Sequence, residues 1–351
     1  MFRFIKNLYI NARLKHYKYV HILNNDKFCK PFVDFINRSF SPDEHIFLCK
    51  KRHNNIISPF PDSKNVIKIN KIRGIKLELP NLQKLIFHSL FDGEAINLLY
   101  KKPQLLQKSY WMIWGGDLYN APRNEKNDFV RRNIKAVITD VDGDEKVAAQ
   151  IYGLKHQIFN AGYTFPLTLE MLDAASKEKH NYLQIQINNS CDKSTLDMLE
   201  ILSRFKDNNL RITTVLSYGD MQYKDEIIAK GKHIFGARFS YLDCLISDWD
   251  YARYLAQNDI LVLNQDRQQG LGNSMATLVL GGKVFIKSSV TTFHHFNNMG
   301  VRIFDTLDIK TMTFDELKDY PAAIKKNNMS KSRIFFHDNY LKEKWAKVFK
   351  G

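Results

Sequence analysis

No stretch of the 351 residues approaches the roughly 18 consecutive apolar side chains that a membrane-spanning helix needs. The longest apolar runs, around Thr277–Leu280 and Ile260–Leu263, have the length of a strand or short helix. This argues against an integral membrane protein. Cysteine is sparse: Cys29, Cys49, Cys191 and Cys244 stand far apart without a CxxC pair. Such spacing builds neither a disulfide framework nor a zinc site, and reads as buried or idle thiols in a reducing compartment. There is no repeat of about 20–50 residues and no low-complexity segment. HExxH, GxSxG, GxGxxG and a phosphate loop ending in GK[ST] are all missing. The run TDVDGDEK, with Asp140, Asp142, Asp144 and Glu145, lacks the closing glutamate of a calcium loop and reads as a solvated acidic turn. Acidic residues are also outnumbered, 37 against 52 Lys and Arg, for a net charge of +15.

That basic surplus favours anionic partners: nucleic acid, acidic lipid headgroups or phosphorylated small molecules. No nucleic-acid motif and no dense basic stripe accompanies it, so nucleic-acid binding is set aside. With 44% hydrophobic and 25% charged residues, the composition is that of a globular protein. The opening MFRFIKNLYINARLKHYKYV is interrupted by Lys6, Asn7 and Asn11 and is followed by no small-residue cleavage site, so it does not read as a signal peptide. Phe2, Phe4, Ile5, Leu8, Tyr9 and Leu14 alternate there with Arg3, Lys6, Arg13, Lys15 and Lys18. This mixture predicts a basic amphipathic element for an anionic membrane surface, with an ordinary surface helix as the alternative.

From Tyr19 onward, short β-rich runs alternate with helical patterns. YVHIL, HIFLC, Val66–Ile69, YWMIW, KAVIT and Gln157–Phe159 are strand candidates before a polar loop that begins at Tyr163. YLQIQI, Arg211–Ser217, ILVLN and Lys283–Ile286 follow it, interspersed with helices over Ser194–Phe205, Tyr223–Lys230, Asp248–Gln257 and Ser274–Leu280. Asn81–Leu90 is ambiguous between helix and strand. The expected fold is α/β, with two Rossmann-like domains facing across a cleft. The expected divisions are a basic extension (1–18), an N-terminal domain (19–165), a linker (166–181), a C-terminal domain (182–330) and a C-terminal helix (331–351). Ligands should bind at the carboxyl ends of the strands, with the cleft as the default site.

Three motifs sit at such ends. Asp266-Arg267-Gln268-Gln269-Gly270-Leu271-Gly272-Asn273-Ser274 follows an apolar strand and opens a helix. Gly270 and Gly272 allow close backbone approach, Asn273 or Ser274 sits at the helix N-terminus, and Arg267 offers a fork for phosphate oxygens. Together they read as a diphosphate cradle. Asn188-Asn189-Ser190-Cys191-Asp192 also lies between a strand and a helix, with Asn189 and Ser190 as short donors and a helix N-terminus at Ser194. It is equally compatible with an ordinary turn. In Trp111-Met112-Ile113-Trp114-Gly115-Gly116-Asp117-Leu118-Tyr119, Asp117 stands at a strand tip, able to take a proton from a hydroxyl or to cap the next helix. His88 is a second candidate base or acceptor ligand.

The stretches IWGGDLY (Ile113–Tyr119), NNSCD (Asn188–Asp192) and RQQGLG (Arg267–Gly272) have an order and spacing that resemble the TDP-N-acetylfucosamine:lipid II N-acetylfucosaminyltransferases of enterobacterial common antigen assembly. The likeness spans residues 19–345. It implies a metal-independent GT-B glycosyltransferase without cofactor, with a nucleotide-diphosphate sugar bound by the C-terminal domain. It also implies a polyprenyl-diphosphate-linked saccharide as acceptor, at the cytoplasmic face of the bacterial inner membrane. By position, Asn189, Ser190, Arg267, Gln268, Gln269, Gly270 and Gly272 fall on the donor site, extended by Asn273 and Ser274, and Asp117 falls on the acceptor motif. The family pattern has glycine at positions 188 and 191, alanine at 116 and threonine at 273. The reading is therefore transfer of a deoxyamino sugar from a TDP-sugar to a lipid-linked saccharide, with Asp117, His88 and Arg267 catalytic. A non-catalytic, membrane-docked partner of polysaccharide assembly is the alternative.

Overall fold

Strands of a parallel sheet covered on both faces need apolar side chains at nearly every position rather than at alternate ones. The runs at residues 46–49, 85–87, 136–138, 260–263 and 284–286 satisfy this and are buried throughout. The computed structural model describes residues 2–51, 60–153, 157–175 and 180–351, with side chains from Asn7 onward. The chain divides into two units, Met1–Pro166 with Asp338–Gly351, and Leu167–His337.

Unit 1 runs α1 (Phe2–Leu14), β1 (Tyr19–Asn24), α2 (Cys29–Ser39), β2 (His45–Lys50), β3 (Val66–Ile69), β4 (Lys84–His88), α3 (Gly93–Lys101), β5 (Ser109–Met112), α4 (Gly116–Tyr119), α5 (Glu125–Asn133), β6 (Ala136–Thr139), α6 (Asp144–Tyr152) and β7 (Gln157–Asn160). Its strands are parallel in the order β3-β2-β1-β4-β5-β6-β7. Unit 2 runs α7 (Leu169–Ala174), β8 (Leu183–Ile187), α8 (Ser194–Leu202), β9 (Leu210–Val215), α9 (Lys224–Phe235), β10 (Phe239–Leu242), α10 (Asp248–Ala256), β11 (Ile260–Leu263), α11 (Leu271–Val279), β12 (Lys283–Ile286), α12 (Thr291–Asn298), β13 (Phe304–Asp305), α13 (Phe314–Lys318) and α14 (Ala322–Arg333). Its parallel order is β10-β9-β8-β11-β12-β13. Each sheet therefore reverses its winding once, between β1 and β4 and between β8 and β11. A doubly wound sheet opens its ligand crevice at that reversal.

The terminal segments differ from the sequence expectation. Residues 1–18 are not a separate extension: Ile10 and Leu14 of α1 are buried in the core of unit 1 beside Ile72, Ile75 and Leu77. The Asn11 side chain accepts from Lys76 N at 2.8 Å. Leu8 and Tyr9 stay exposed, at 53% and 60%. The side chains of Phe2, Arg3, Phe4, Ile5 and Lys6, on which much of the membrane reading falls, lie outside the described residues. The expected linker contains α7, whose Leu172 packs with Ala252, Leu255 and Ala276 of unit 2. The C-terminal segment is split as well. Helix α14 closes unit 2, whereas α15 (Asp338–Lys350) returns to unit 1, where Trp345 is fully buried against Phe32 and donates to Gly162 O at 2.8 Å. The ambiguous segment 81–90 resolves as β4. Helix α9 runs past the expected end at Lys230, through Gly231, to Phe235. A side chain at position 231 would meet the Phe239 ring, so the glycine serves packing.

Among the described residues no helix is long and apolar enough to cross a membrane. Because α15 supplies Trp345 to the core of unit 1, Trp345→Ala should cost about 3–5 kcal/mol. Chemical denaturation would show this as a lowered midpoint, and an unchanged midpoint would place α15 outside the folded core.

Candidate functional site

In unit 2 the site begins with Asn188, directly after β8. Its backbone is left-handed (φ 51°), a conformation that asparagine tolerates and glycine adopts freely. The buried side chain donates to Ser194 Oγ at 3.0 Å and Thr195 Oγ1 at 2.9 Å, and accepts from Asn264 N at 2.8 Å. One amide thus ties the end of β8 to the start of α8 and the end of β11.

That tie brings two motifs together. Gly270 (φ 74°) caps α11, and a Cβ there would lie 2.8 Å from Leu263 Cδ1 and 3.3 Å from Asn189 Cγ. Ser190 Oγ accepts from Gln265 Nε2 at 3.2 Å and from Gln269 Nε2. Asn189 Nδ2 donates to Tyr218 Oη at 3.2 Å. Burial pushes the Tyr218 phenol up to about 12, opposed by the positive charge of Arg267 and the Asn189 bond, so this phenol stays protonated at neutral pH. The half-buried Arg267 donates to Gln268 O at 3.1 Å.

Helix α11 starts at Leu271, three residues earlier than the sequence suggested, and no side chain caps it. The N–H groups of Leu271, Gly272 and Asn273 are those a helix cannot pair internally. Asn273 instead uses its amide to donate to Tyr251 Oη at 2.8 Å, and Ser274 lies in the second turn, fully buried. Three buried polar atoms here, Gln265 Oε1, Gln269 Oε1 and Ser274 Oγ, have no hydrogen-bond partner among the described residues. Buried orphans are rare in folded proteins and concentrate where a ligand or water completes them. The second expected anion site, at α8, is already filled: Asp192 Oδ1 accepts from Ser194 N at 2.8 Å and from Ser194 Oγ at 2.6 Å. A carboxylate on that helix start repels a phosphate, so of the two expected helix starts only that of α11 remains open. A separate cavity of about 460 Å³, lined by His180, Lys283 and Lys325 among others, opens at the amino ends of β8, β11 and β12, on the opposite edge of the sheet.

In unit 1, Asp117 does not stand free at a strand tip. It is 0% exposed. Its Oδ2 accepts from Leu90 N at 2.8 Å and Trp111 Nε1 at 2.6 Å, and Oδ1 accepts from Trp114 N at 2.8 Å. Burial raises its pKa, while those donors and the nearby Arg131 guanidinium pull it back. A carboxylate so enclosed staples the loops after β4 and β5 and is not placed to take a proton from a substrate hydroxyl. Asp144, expected in a solvated turn, is also buried and accepts from Tyr119 Oη at 2.7 Å. Among the described residues no group of three or more His, Cys, Asp or Glu is placed to hold a metal ion.

His88 ends β4 and is buried in a chain of histidines. Its Nε2 is 3.0 Å from His21 Nδ1, and His21 Nε2 is 3.1 Å from His45 Nδ1. At the other end, His88 Nδ1 meets Tyr163 Oη, which also accepts from Trp114 Nε1 at 2.8 Å. Burial lowers His88 and His45 to about 3 and His21 well below its usual value, so all three are neutral at physiological pH. His88 is thus no exposed base. Around it, Phe28, Trp114 and Tyr163 form a half-buried aromatic cluster with ring centroids 4.9–6.0 Å apart.

Two such sheets with polar groups gathered at the carboxyl ends suit an enzyme of activated sugars, and comparison with known proteins decides the matter. The family model described as 4-alpha-L-fucosyltransferase, glycosyl transferase group 56, matches residues 54–351. The chain belongs to this family. It is a glycosyltransferase, as the motif resemblance implied. Solved structures agree on the fold. Sucrose-phosphate synthase from Thermosynechococcus elongatus superposes with a TM-score of 0.66 at 10% identity over 94% of this chain and 98% of that one. Anabaena HepE in complex with UDP and glucose gives 0.65 at 11% over 94% and 99%. A glycosyltransferase from Rickettsia africae gives 0.63 at 12% over 95% and 98%. At these identities the likeness concerns architecture, and that architecture is GT-B.

For this family-56 chain the structure gathers Asn189, Ser190, Arg267, Gln268, Gln269 and Gly270 at one end of the unit 2 sheet, with Gly272, Asn273 and Ser274 in the first two turns of α11. It leaves Asp117 and His88 as buried parts of unit 1. Sequence reasoning missed Tyr218 and Gln265 in unit 2, and His21, His45 and Tyr163 in unit 1. Tyr218-Gly219 after β9 carried a usable turn signal. The histidines carried none, being isolated polar residues inside strands. If Asp117 is a staple, Asp117→Asn should destabilise the protein by about 2–3 kcal/mol, because an amide NH₂ would face backbone or indole donors. Thermal unfolding checks this, and a parent-like melting temperature with lost turnover would restore Asp117 as a base.

Proposed function

We propose that this glycosyltransferase moves an N-acetylfucosamine-like deoxyamino sugar from a TDP-sugar to a polyprenyl-diphosphate-linked saccharide, in surface polysaccharide synthesis of the enterobacterial common antigen kind. Unit 2 holds the donor and unit 1 the acceptor. The observation that carries the donor assignment is the uncapped start of α11 beside Arg267, which offers donors to a diphosphate; the orphaned Gln265 Oε1 and Gln269 Oε1 can only accept, and suit hydroxyls of the sugar or ribose. The sugar identity rests on the motifs RQQGLG, NNSCD and IWGGDLY and on the fucosyl transfer by which the family is described. Anabaena HepE, a fold neighbour, binds UDP and glucose, which supports a nucleotide-sugar donor here.

In the reaction a hydroxyl of the acceptor attacks the anomeric carbon. A carbon–oxygen bond forms there as the bond to the nucleoside diphosphate breaks, negative charge grows on the departing phosphate, and the hydroxyl proton passes to that diphosphate or to water. The Arg267 guanidinium and the N–H groups of Leu271, Gly272 and Asn273 favour that charge, because their dipoles are fixed in place before the reaction. Gln269 and Ser190 are bonded to each other beside the start of α11. The net charge of +15 and the exposed Leu8 and Tyr9 of α1 support peripheral attachment to an anionic membrane, at the cytoplasmic face where the lipid-linked acceptor would lie.

The test is thermal unfolding against a panel of nucleoside diphosphates. TDP should raise the melting temperature more than UDP, GDP or ADP. Arg267→Ala should abolish that rise and lower turnover by about a hundredfold without changing the unliganded melting temperature. No rise with any nucleoside diphosphate would overturn the donor assignment.

A further inference from the structure

The three buried histidines of unit 1 form a hydrogen-bonded line, and its two ends differ. At one end His45 Nε2 is buried with no partner among the described residues, surrounded by the rings of Tyr19, Phe40 and Phe349. At the other end is the hydroxyl of the half-buried Tyr163, at the carboxyl edge of the sheet. A neutral imidazole has one N–H and one bare nitrogen, so fixing one ring fixes its neighbours. Two directions are available. In the first, every histidine carries hydrogen on Nε2, Tyr163 donates to His88, and the Nε2–H of His45 points into apolar surroundings without an acceptor. In the second, every histidine carries hydrogen on Nδ1: His45 donates to His21, His21 to His88, and His88 to Tyr163. The orphan at His45 is then a lone pair. Orphaned buried N–H groups are the rarer and costlier of the two, which favours the second direction.

That direction decides what Tyr163 does. In that direction its oxygen accepts from His88 Nδ1 and, at 2.8 Å, from Trp114 Nε1, using both lone pairs. The hydroxyl hydrogen is left over, and neither of those groups can take it. We propose that Tyr163 is a hydrogen-bond donor to a saccharide, its orientation set by the histidine line behind it, in a subsite walled by Trp114 and Phe28. The aromatic wall suits the C–H face of a pyranose, and a committed donor suits a ring or hydroxyl oxygen. Ser89, the residue after His88, has φ 86°, and strained non-glycine backbone of this kind clusters at ligand sites. Because unit 1 is read as the acceptor side, the saccharide would be that of the acceptor, and this inference rests on that reading. Tyr163 would contact substrate, while His88, His21 and His45 are positioning residues.

Two measurements on the full-length protein test it. Long-range ¹H–¹⁵N correlation spectra of histidine-labelled protein report the tautomer of each ring. The expected result is Nδ1–H at His21, His45 and His88, and Nε2–H at His88 would overturn the proposal. Saturation-transfer NMR with a panel of methyl glycosides of hexoses and N-acetylhexosamines reports the subsite. Tyr163→Phe should weaken binding of the responsive glycosides about tenfold, the loss of one neutral hydrogen bond, while keeping the melting-temperature response to TDP. No glycoside signal in the parent protein, or an equal signal in the variant, would overturn the subsite. A parent protein that ignores nucleotides would strike the donor reading alone and leave the tautomer result standing.

Discussion

Asn188 is the constraint on which the donor site depends. A left-handed residue at the end of the first strand of unit 2 turns the chain sharply, and its amide fixes the starts of two neighbouring segments at 2.8–3.0 Å. That tie joins the bonds of Gln265 and Gln269 to Ser190 in holding the two motifs together. The amide is fully buried, and both its nitrogen and its oxygen are satisfied. Losing either set of partners would leave a buried polar group exposed to the full desolvation cost. Asparagine suits the position because it accepts the backbone angle and adds the bonds.

Unit 1 repeats the geometry with different chemistry. Its sheet has the same strand order about its reversal, and a left-handed residue, Ser89, again follows a strand at that reversal. Yet where unit 2 presents amides and a guanidinium, unit 1 presents aromatic rings backed by neutral imidazoles. Amide N–H groups and Arg suit phosphate, whereas aromatic faces with a single hydroxyl suit a sugar ring. The proposed division of labour between donor and acceptor rests on these two linings.

Much of this was legible in the sequence because it depends on local pattern. Apolar runs of strand length separated by helical periodicity gave the alternating fold, and Gly270 and Gly272 after ILVLN marked a backbone turn at a helix start. What was not legible depends on convergence of distant residues. Asp117 looked like a strand-tip base because nothing in WGGD shows that Leu90 N, Trp111 Nε1 and Trp114 N all point at its carboxylate. Ser194 looked like an open helix start because Asp192 two residues earlier could equally have faced solvent. His21, His45 and His88 come from β1, β2 and β4, and only the parallel register places their rings in line. The return of α15 to unit 1 is invisible for the same reason: Trp345 finds its place against Phe32, more than three hundred residues earlier.

The central claim is that unit 2 grips a diphosphate with the uncapped start of α11 and the Arg267 guanidinium. A crystal structure with a bound nucleoside diphosphate tests it most directly. The account predicts phosphate oxygens within hydrogen-bonding distance of the Leu271, Gly272 or Asn273 N–H groups and of Arg267, with Gln269 turned toward the ligand. A diphosphate seated away from α11, with Arg267 out of reach, would contradict it.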